Sequence, residues 1–203
     1  MKKKGGDRVK KFSGTKGIIC LAIMAMLVVG YYYHLSNRSV AAPEEMEVDS
    51  LSAVQEVLVR NMETNYPQTP REVVKYFAEL TKCLYNEELS DEDVYELGMR
   101  FREIYDDELI ANQEEDDYLE QLKADVVSSH SKGQTLFNYT LSSSVDVETF
   151  SQNGYDIARL HCIFGIRQDL LLYNSDTIFV LRKDENGHYK ILGWTLAAEA
   201  QEK

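Results

Sequence analysis

The chain lacks every short signature that would name a reaction. It holds three cysteines in 203 residues and no C-x-x-C pair. Cys83 and Cys162 have no convergent histidines to complete a zinc site. The acidic clusters Asp91-Glu92-Asp93, Asp106-Asp107-Glu108 and Glu114-Glu115-Asp116-Asp117 lack the glycine and ligand spacing of a calcium loop. They read instead as helix N-terminal acids and solvated faces. Ser142, Ser143 and Ser144 have no elbow glycines and no evident partner histidine, which argues against a hydrolase. No nucleotide-binding signature, internal repeat or metal motif is present, so no cofactor and no metal are implied.

Charge is missing in two places, and both omissions are informative. Between Lys16 and Arg38 run 21 residues without Asp, Glu, Lys or Arg. As a helix they span about 31 Å, against a hydrocarbon core of about 30 Å. Seven Ile, Leu and Val residues lie between 18 and 29, and Tyr31, Tyr32 and Tyr33 fit an interfacial aromatic belt. Seven of the eight basic residues in 1–43 precede the run, which sets its N-terminus in the cytoplasm. Cleavage after Ser39-Val40-Ala41 is the rival reading. The uncleaved anchor is preferred, because that site lies far beyond the apolar run and the tyrosines intervene. Cys20 opens the run rather than following it, so it is poorly placed for lipid attachment.

Basic residues are the second shortage. Residues 44–203 carry 14 basic and 33 acidic groups, a net of −19. Such a surface repels phosphate backbones, which argues against nucleic acid as a partner. Cys83 and Cys162 in an exported domain fit either a disulfide or two buried thiols.

The expected organisation is a basic cytoplasmic tail over 1–16, an anchor over 17–35, a stalk with a possible helix over 36–64, and an extracytoplasmic α+β domain over 65–203. Leu51, Val54, Leu58 and Met62 predict a helix from 51 to 62. Thr69-Pro70-Arg71-Glu72 is an N-cap, a first-turn proline and a returning acid, and it predicts a helix to about Tyr85. Ser90 starts another in the same way, with Val94, Leu97, Phe101 and Ile104 as its stripe. A fourth is expected from Glu114 to Ser128, carrying Tyr118, Leu119, Leu122 and Val126. After Gly133 the pattern becomes period two. Strands are predicted over 135–143, 155–167, 170–183 (bent near Asn174) and 189–198, with a tight turn at Asn186-Gly187. Helices first and antiparallel strands afterwards mean helices packed on one sheet face.

Three helices before a curved sheet, the Thr69–Phe77 helix start and the hairpin Leu181–Trp194 resemble the nuclear transport factor two-like (cystatin-like, SnoaL-like) cone fold. Tyr66–Tyr85, Leu122-Lys123-Ala124-Asp125 and Leu181–Trp194 also resemble an uncharacterised family of membrane-anchored proteins from anaerobic Firmicutes. The resemblance implies a conical pocket between helices and sheet, and a cell-membrane location in a bacterium. It implies no activity, because that fold carries isomerases, cyclases and non-catalytic binders alike.

Two functions follow as expectations. The first is a non-catalytic extracytoplasmic binding or interaction module, with an envelope protein or a small ligand as partner. The alternative is a pocket enzyme of the ketosteroid-isomerase or polyketide-cyclase type. For that, His161 or Asp156 would be the acid–base group, and Tyr139 could join them in the cone. His161 is equally a hydrogen-bonded surface-strand histidine, and Trp194 is either a stacking platform or core.

Overall fold

The computed structural model describes residues 52–200, and its strongest helix signals fall where capping chemistry places them. The tail and anchor expectations lie outside the described residues. Among those residues, no helix is long and apolar enough to cross a membrane.

Helix α1, Ala53–Leu58, is closed at its start by a reciprocal box between Ser52 and Gln55. It is shorter than the apolar spacing predicts. The Asn61 carboxamide accepts from the amides of Glu63 (2.9 Å) and Thr64 (3.1 Å), giving the chain a turn in place of another helical repeat. Helix α2, Pro70–Asn86, starts at the Thr69–Glu72 box, and α3, Asp91–Ile104, at the Ser90–Asp93 box. Helix α5, Glu115–Ser131, runs three residues past the expected end and stops before Gly133, whose φ is 61°. The acids of the three clusters occupy the N-cap or first turn of α3, α4 and α5, but Asp106 is buried rather than on a solvated face, because it is paired with Arg182.

Helix α4, Asp107–Ala111, was not legible as a helix. It is one turn held by Asp106, whose side chain caps the Glu108 amide at 2.9 Å. Arg182 ties the same carboxylate to the sheet, with Nε donating to Oδ2 at 2.9 Å.

The sheet is antiparallel and five-stranded: β1 Gln134–Leu141, β2 Glu148–Gln152, β3 Tyr155–Gln168, β4 Leu171–Lys183 and β5 Tyr189–Leu196. The order is β1-β3-β4-β5, with β2 on β3 beside β1's continuation. Strand β2 escaped the sequence reading because all five of its residues are exposed. It is joined to β3 by Asn153-Gly154, both at positive φ (53° and 84°), the two-residue turn that matches strand twist. The Asn186-Gly187 turn is different. Only Gly187 is left-handed, and the Asp184 carboxylate accepts from the amides of Asn186 (2.9 Å) and His188 (2.8 Å). Strand β4 pairs along β3 from Ile157 to Gln168 without a break, so the expected bend near Asn174 does not interrupt it. Bulges fall instead between Leu136 and Asn138 in β1 and between Val180 and Leu181 against β5. Helix α6, Ala197–Ala200, takes over where the last strand was expected to continue.

Leu160, Cys162 and Phe164 of β3 and Phe179 and Leu181 of β4 face the helices and are buried. Helix α2 lies across them with eight buried residues, because α1, α3 and the sheet cover it from three sides. Tyr76 donates to the Val57 carbonyl at 2.8 Å and Arg100 to that of Leu58 at 3.0 Å. Helix α1, which falls where the stalk was expected, therefore packs on the domain, and the described residues form one compact unit. Cys83 and Cys162 are buried free thiols.

Candidate functional site

Among the described residues, α5 is the least buried of the long helices. Of its expected stripe only Val126 is fully covered. Tyr118 and Leu122 are only partly buried where they pack against the main core, and both line a chamber of about 430 Å³. Helix α2 supplies Phe77, Thr81, Leu84 and Tyr85 to its wall, α3 supplies Phe101 and Arg102, and α4 supplies Leu109 and Ile110. Tyr105, Gln113 and the Trp194 indole of β5 also line it, with Gln121, Asp125, Val126 and Ser129 from α5.

Aromatic packing makes the chamber rigid on its inner side. Phe77 meets Phe101 edge-on at 5.0 Å (73°) and Phe179 at 5.0 Å (67°). Tyr105 lies 5.7 Å from Trp194 and 6.3 Å from Tyr118, the latter edge-on at 83°. Such pairs favour offset and edge-to-face geometry, so each ring restricts the next. Burial first, and the neighbouring Tyr118 second, push the Tyr105 phenol well above its ordinary range. Burial likewise pushes Tyr118 up to about 12. Both phenols are neutral at ordinary pH and offer O–H donors rather than bases.

Most polar atoms of the wall are already committed. Thr81 donates to the Phe77 carbonyl at 2.8 Å, and Ser129 to that of Val126 at 2.8 Å. Tyr118 donates to the Gly98 carbonyl at 3.4 Å. At the rim, Gln113 donates to Gln121 at 2.9 Å and links the segment after α4 to α5. The Arg102 guanidinium lies 5.5 Å from the Tyr118 ring and 3.9 Å from Glu115. Besides the phenols, Arg102 and Asp125 are the ionisable groups of the lining. This is a surface for holding an apolar body with a few polar contacts.

The three residues singled out from sequence are not brought together. His161 is on the outward face of β3, half exposed, with Nδ1 2.9 Å from Asp176 Oδ1 across the β3–β4 pair. Asp156 is exposed and accepts from Ser151 Oγ at 3.2 Å. Five residues separate the two along one strand, so alternation points them to opposite sides. Tyr139 pairs with Phe164, eight strand positions or roughly 26 Å from Asp156. Its hydroxyl donates to Glu79 at 3.4 Å, and burial pushes it up to about 12. None of the three lines the chamber.

Arg102, Tyr105, Gln113 and Gln121 were missed. Arg102 and Gln121 sit at polar positions of amphipathic helices, and nothing in a helical period says that a polar flank borders a hollow. Trp194 carried a usable signal, as a lone tryptophan in a final strand beside a turn. Among the described residues no group of three or more His, Cys, Asp or Glu is placed to hold a metal ion.

No curated protein matches the chain. One family model matches it over residues 1–194, nearly its whole length, and the chain belongs to that family, described as a domain of unknown function (DUF6715).

Proposed function

We propose that the protein is a single-pass membrane-anchored binding module, with its basic N-terminus in the cytoplasm and a non-catalytic ligand chamber outside. The observation that carries this reading is the chamber itself. Its volume of about 430 Å³ falls within the roughly 300–1,000 Å³ of small-molecule sites. Its wall is aromatic and aliphatic, and the Thr81 and Ser129 hydroxyls are turned back on their own helix backbone. A small, largely apolar molecule with a flat ring suits it, with the ring against Tyr105 and Trp194 and a polar group toward Arg102 or the glutamine rim. The helices laid over one face of a bulged antiparallel sheet support assignment to the nuclear transport factor two-like cone fold. The likeness to membrane-anchored proteins of anaerobic Firmicutes supports a bacterial cell membrane. An isomerase or cyclase built on His161 or Asp156 gains no support from this geometry, since both side chains lie outside the chamber.

Trp194 is the only tryptophan in the chain, so its emission reports on the chamber. Full-length protein in lipid nanodiscs, titrated with anilinonaphthalene sulfonate, is expected to show saturable quenching of Trp194. Leu109→Phe, which fills part of the hollow, should abolish that saturation while the circular dichroism spectrum is retained. Quenching that never saturates, or that Leu109→Phe leaves unchanged, would remove the ligand chamber from this reading.

A further inference from the structure

The turn between β3 and β4 ends in three consecutive leucines that nothing covers. Leu170 is 99% exposed, Leu171 69% and Leu172 62%. The fold does not require leucine there, because the left-handed conformation of the turn falls on Asp169 (φ 52°). Phe137 and Tyr173 lie on the strands beside it, and each is 41% exposed. The Arg167 guanidinium stacks 5.9 Å over the Phe137 ring. A leucine tip flanked by aromatic rings and a cation has the composition of a lipid interface, with apolar chains inward and rings at headgroup level.

The path of the chain says which surface this end of the domain meets. Helix α1 runs antiparallel to α2: the Cys83 thiol donates to the Ala53 carbonyl at 3.6 Å, and Tyr76 to Val57. Ala53 therefore lies beside the C-terminal end of α2. At that same end Asn86 clamps Leu136, accepting from its amide at 2.8 Å and donating to its carbonyl at 2.9 Å. Leu136 pairs with Ile166, four residues before the leucines. The chain thus comes into the domain at the end that carries the leucine tip. With an anchor over 17–35, the 17 residues 36–52 join it to α1.

We propose that Leu170, Leu171 and Leu172 dock into the outer leaflet of the bilayer crossed by the anchor, standing the domain on its β3–β4 turn. The proposal rests on the anchor reading above. The net charge of −19 over residues 44–203 opposes approach to anionic headgroups, so apolar burial drives the contact and added salt strengthens it.

The test uses the full chain in phosphatidylcholine vesicles, with Leu171→Cys carrying an environment-sensitive fluorophore in a Cys20→Ser background. Val145→Cys, 89% exposed in the loop after β1 at the other end of that strand, is the comparison site. Emission from position 171 should shift to the blue and be lost on adding nitroxide-labelled lipid, while position 145 changes in neither respect. Equal behaviour at the two sites overturns the docking. A blue shift at 171 without lipid quenching assigns the tip to a protein neighbour and also overturns it. Flotation separates the two layers of inference: a chain that floats with vesicles but leaves 171 in water refutes the docking alone, and one that does not float refutes the anchor and the docking together.

Discussion

Asp106 shows how much one side chain can decide. It is almost fully buried, it caps α4, and it holds Arg182 through both carboxylate oxygens. Glu108 meets the same guanidinium at 3.0 Å from an exposed position. Breaking a buried charge pair costs far more than breaking an exposed one, because the surviving charge stays desolvated. Asp106→Ala is expected to lower the urea-unfolding free energy by about 3 kcal/mol, and Glu108→Ala by less than about 1 kcal/mol. Equal effects would mean that Arg182 is solvated enough to do without either partner. The thiols give the residue-scale pH dependence. Burial is the largest cause of both shifts, pushing Cys83 from its ordinary 9.0 up to about 11 and Cys162 up to about 12. The unfolded chain releases those protons first, so stability is full below about pH 9 and declines as pH rises through about 11. Urea midpoints at about pH 8 and about pH 10.5 should fall further apart in the native protein than in a Cys83→Ala/Cys162→Ala variant.

At the scale of elements, the position of α5 decides whether there is a chamber. It approaches α3 at Gly98, where a Cβ would lie 2.8 Å from Leu119 Cδ2 and 3.0 Å from Leu122 Cδ2. Both obstacles are side-chain ends that can rotate, at about 0.5–1.5 kcal/mol for an off-rotamer angle. The gain from replacing a helical glycine by alanine is about 1 kcal/mol, which offsets most of that cost. Gly98→Ala is therefore expected to leave the melting temperature close to the parent's. Leu122 would be pushed into the hollow, so uptake of anilinonaphthalene sulfonate should weaken. A large loss of stability instead would show that α5 cannot adjust against α3. The same element explains a limit of sequence reading. A stripe of Tyr118, Leu122 and Val126 looks alike whether it fills a core or lines a hollow, since periodicity reports a side and not what occupies it.

Over the whole molecule, charge acts against compactness. With 33 acidic against 14 basic residues beyond position 43, the excess negative charges repel one another at low ionic strength. Raising sodium chloride from about 10 mM to about 150 mM shortens the screening length from about 30 Å to about 8 Å. The melting temperature should rise over that interval, and an unchanged value would show that local pairs already neutralise the field.

The sequence by itself determined the classes of element and most of their starts. Capping at Ser52, Thr69 and Ser90 depends on contacts three residues apart, which a chain carries wherever it folds. The period-two pattern after Gly133 likewise carries the two faces of β3, with Leu160, Cys162 and Phe164 alternating against Arg159, His161 and Ile163. Strand β2 was hidden because an exposed edge has no apolar alternation to read. Helix α4 was hidden because a single turn held by Asp106 and a distant Arg182 has no period. Only the tertiary structure decided that His161, Asp156 and Tyr139 stay apart, and that Arg102, Tyr105 and Trp194 surround one hollow. Those juxtapositions join α2, α3, α5 and β5 across as many as 117 positions of chain, from Phe77 to Trp194. Spacing along the chain specifies local geometry, whereas the distance between two elements is set by what packs between them.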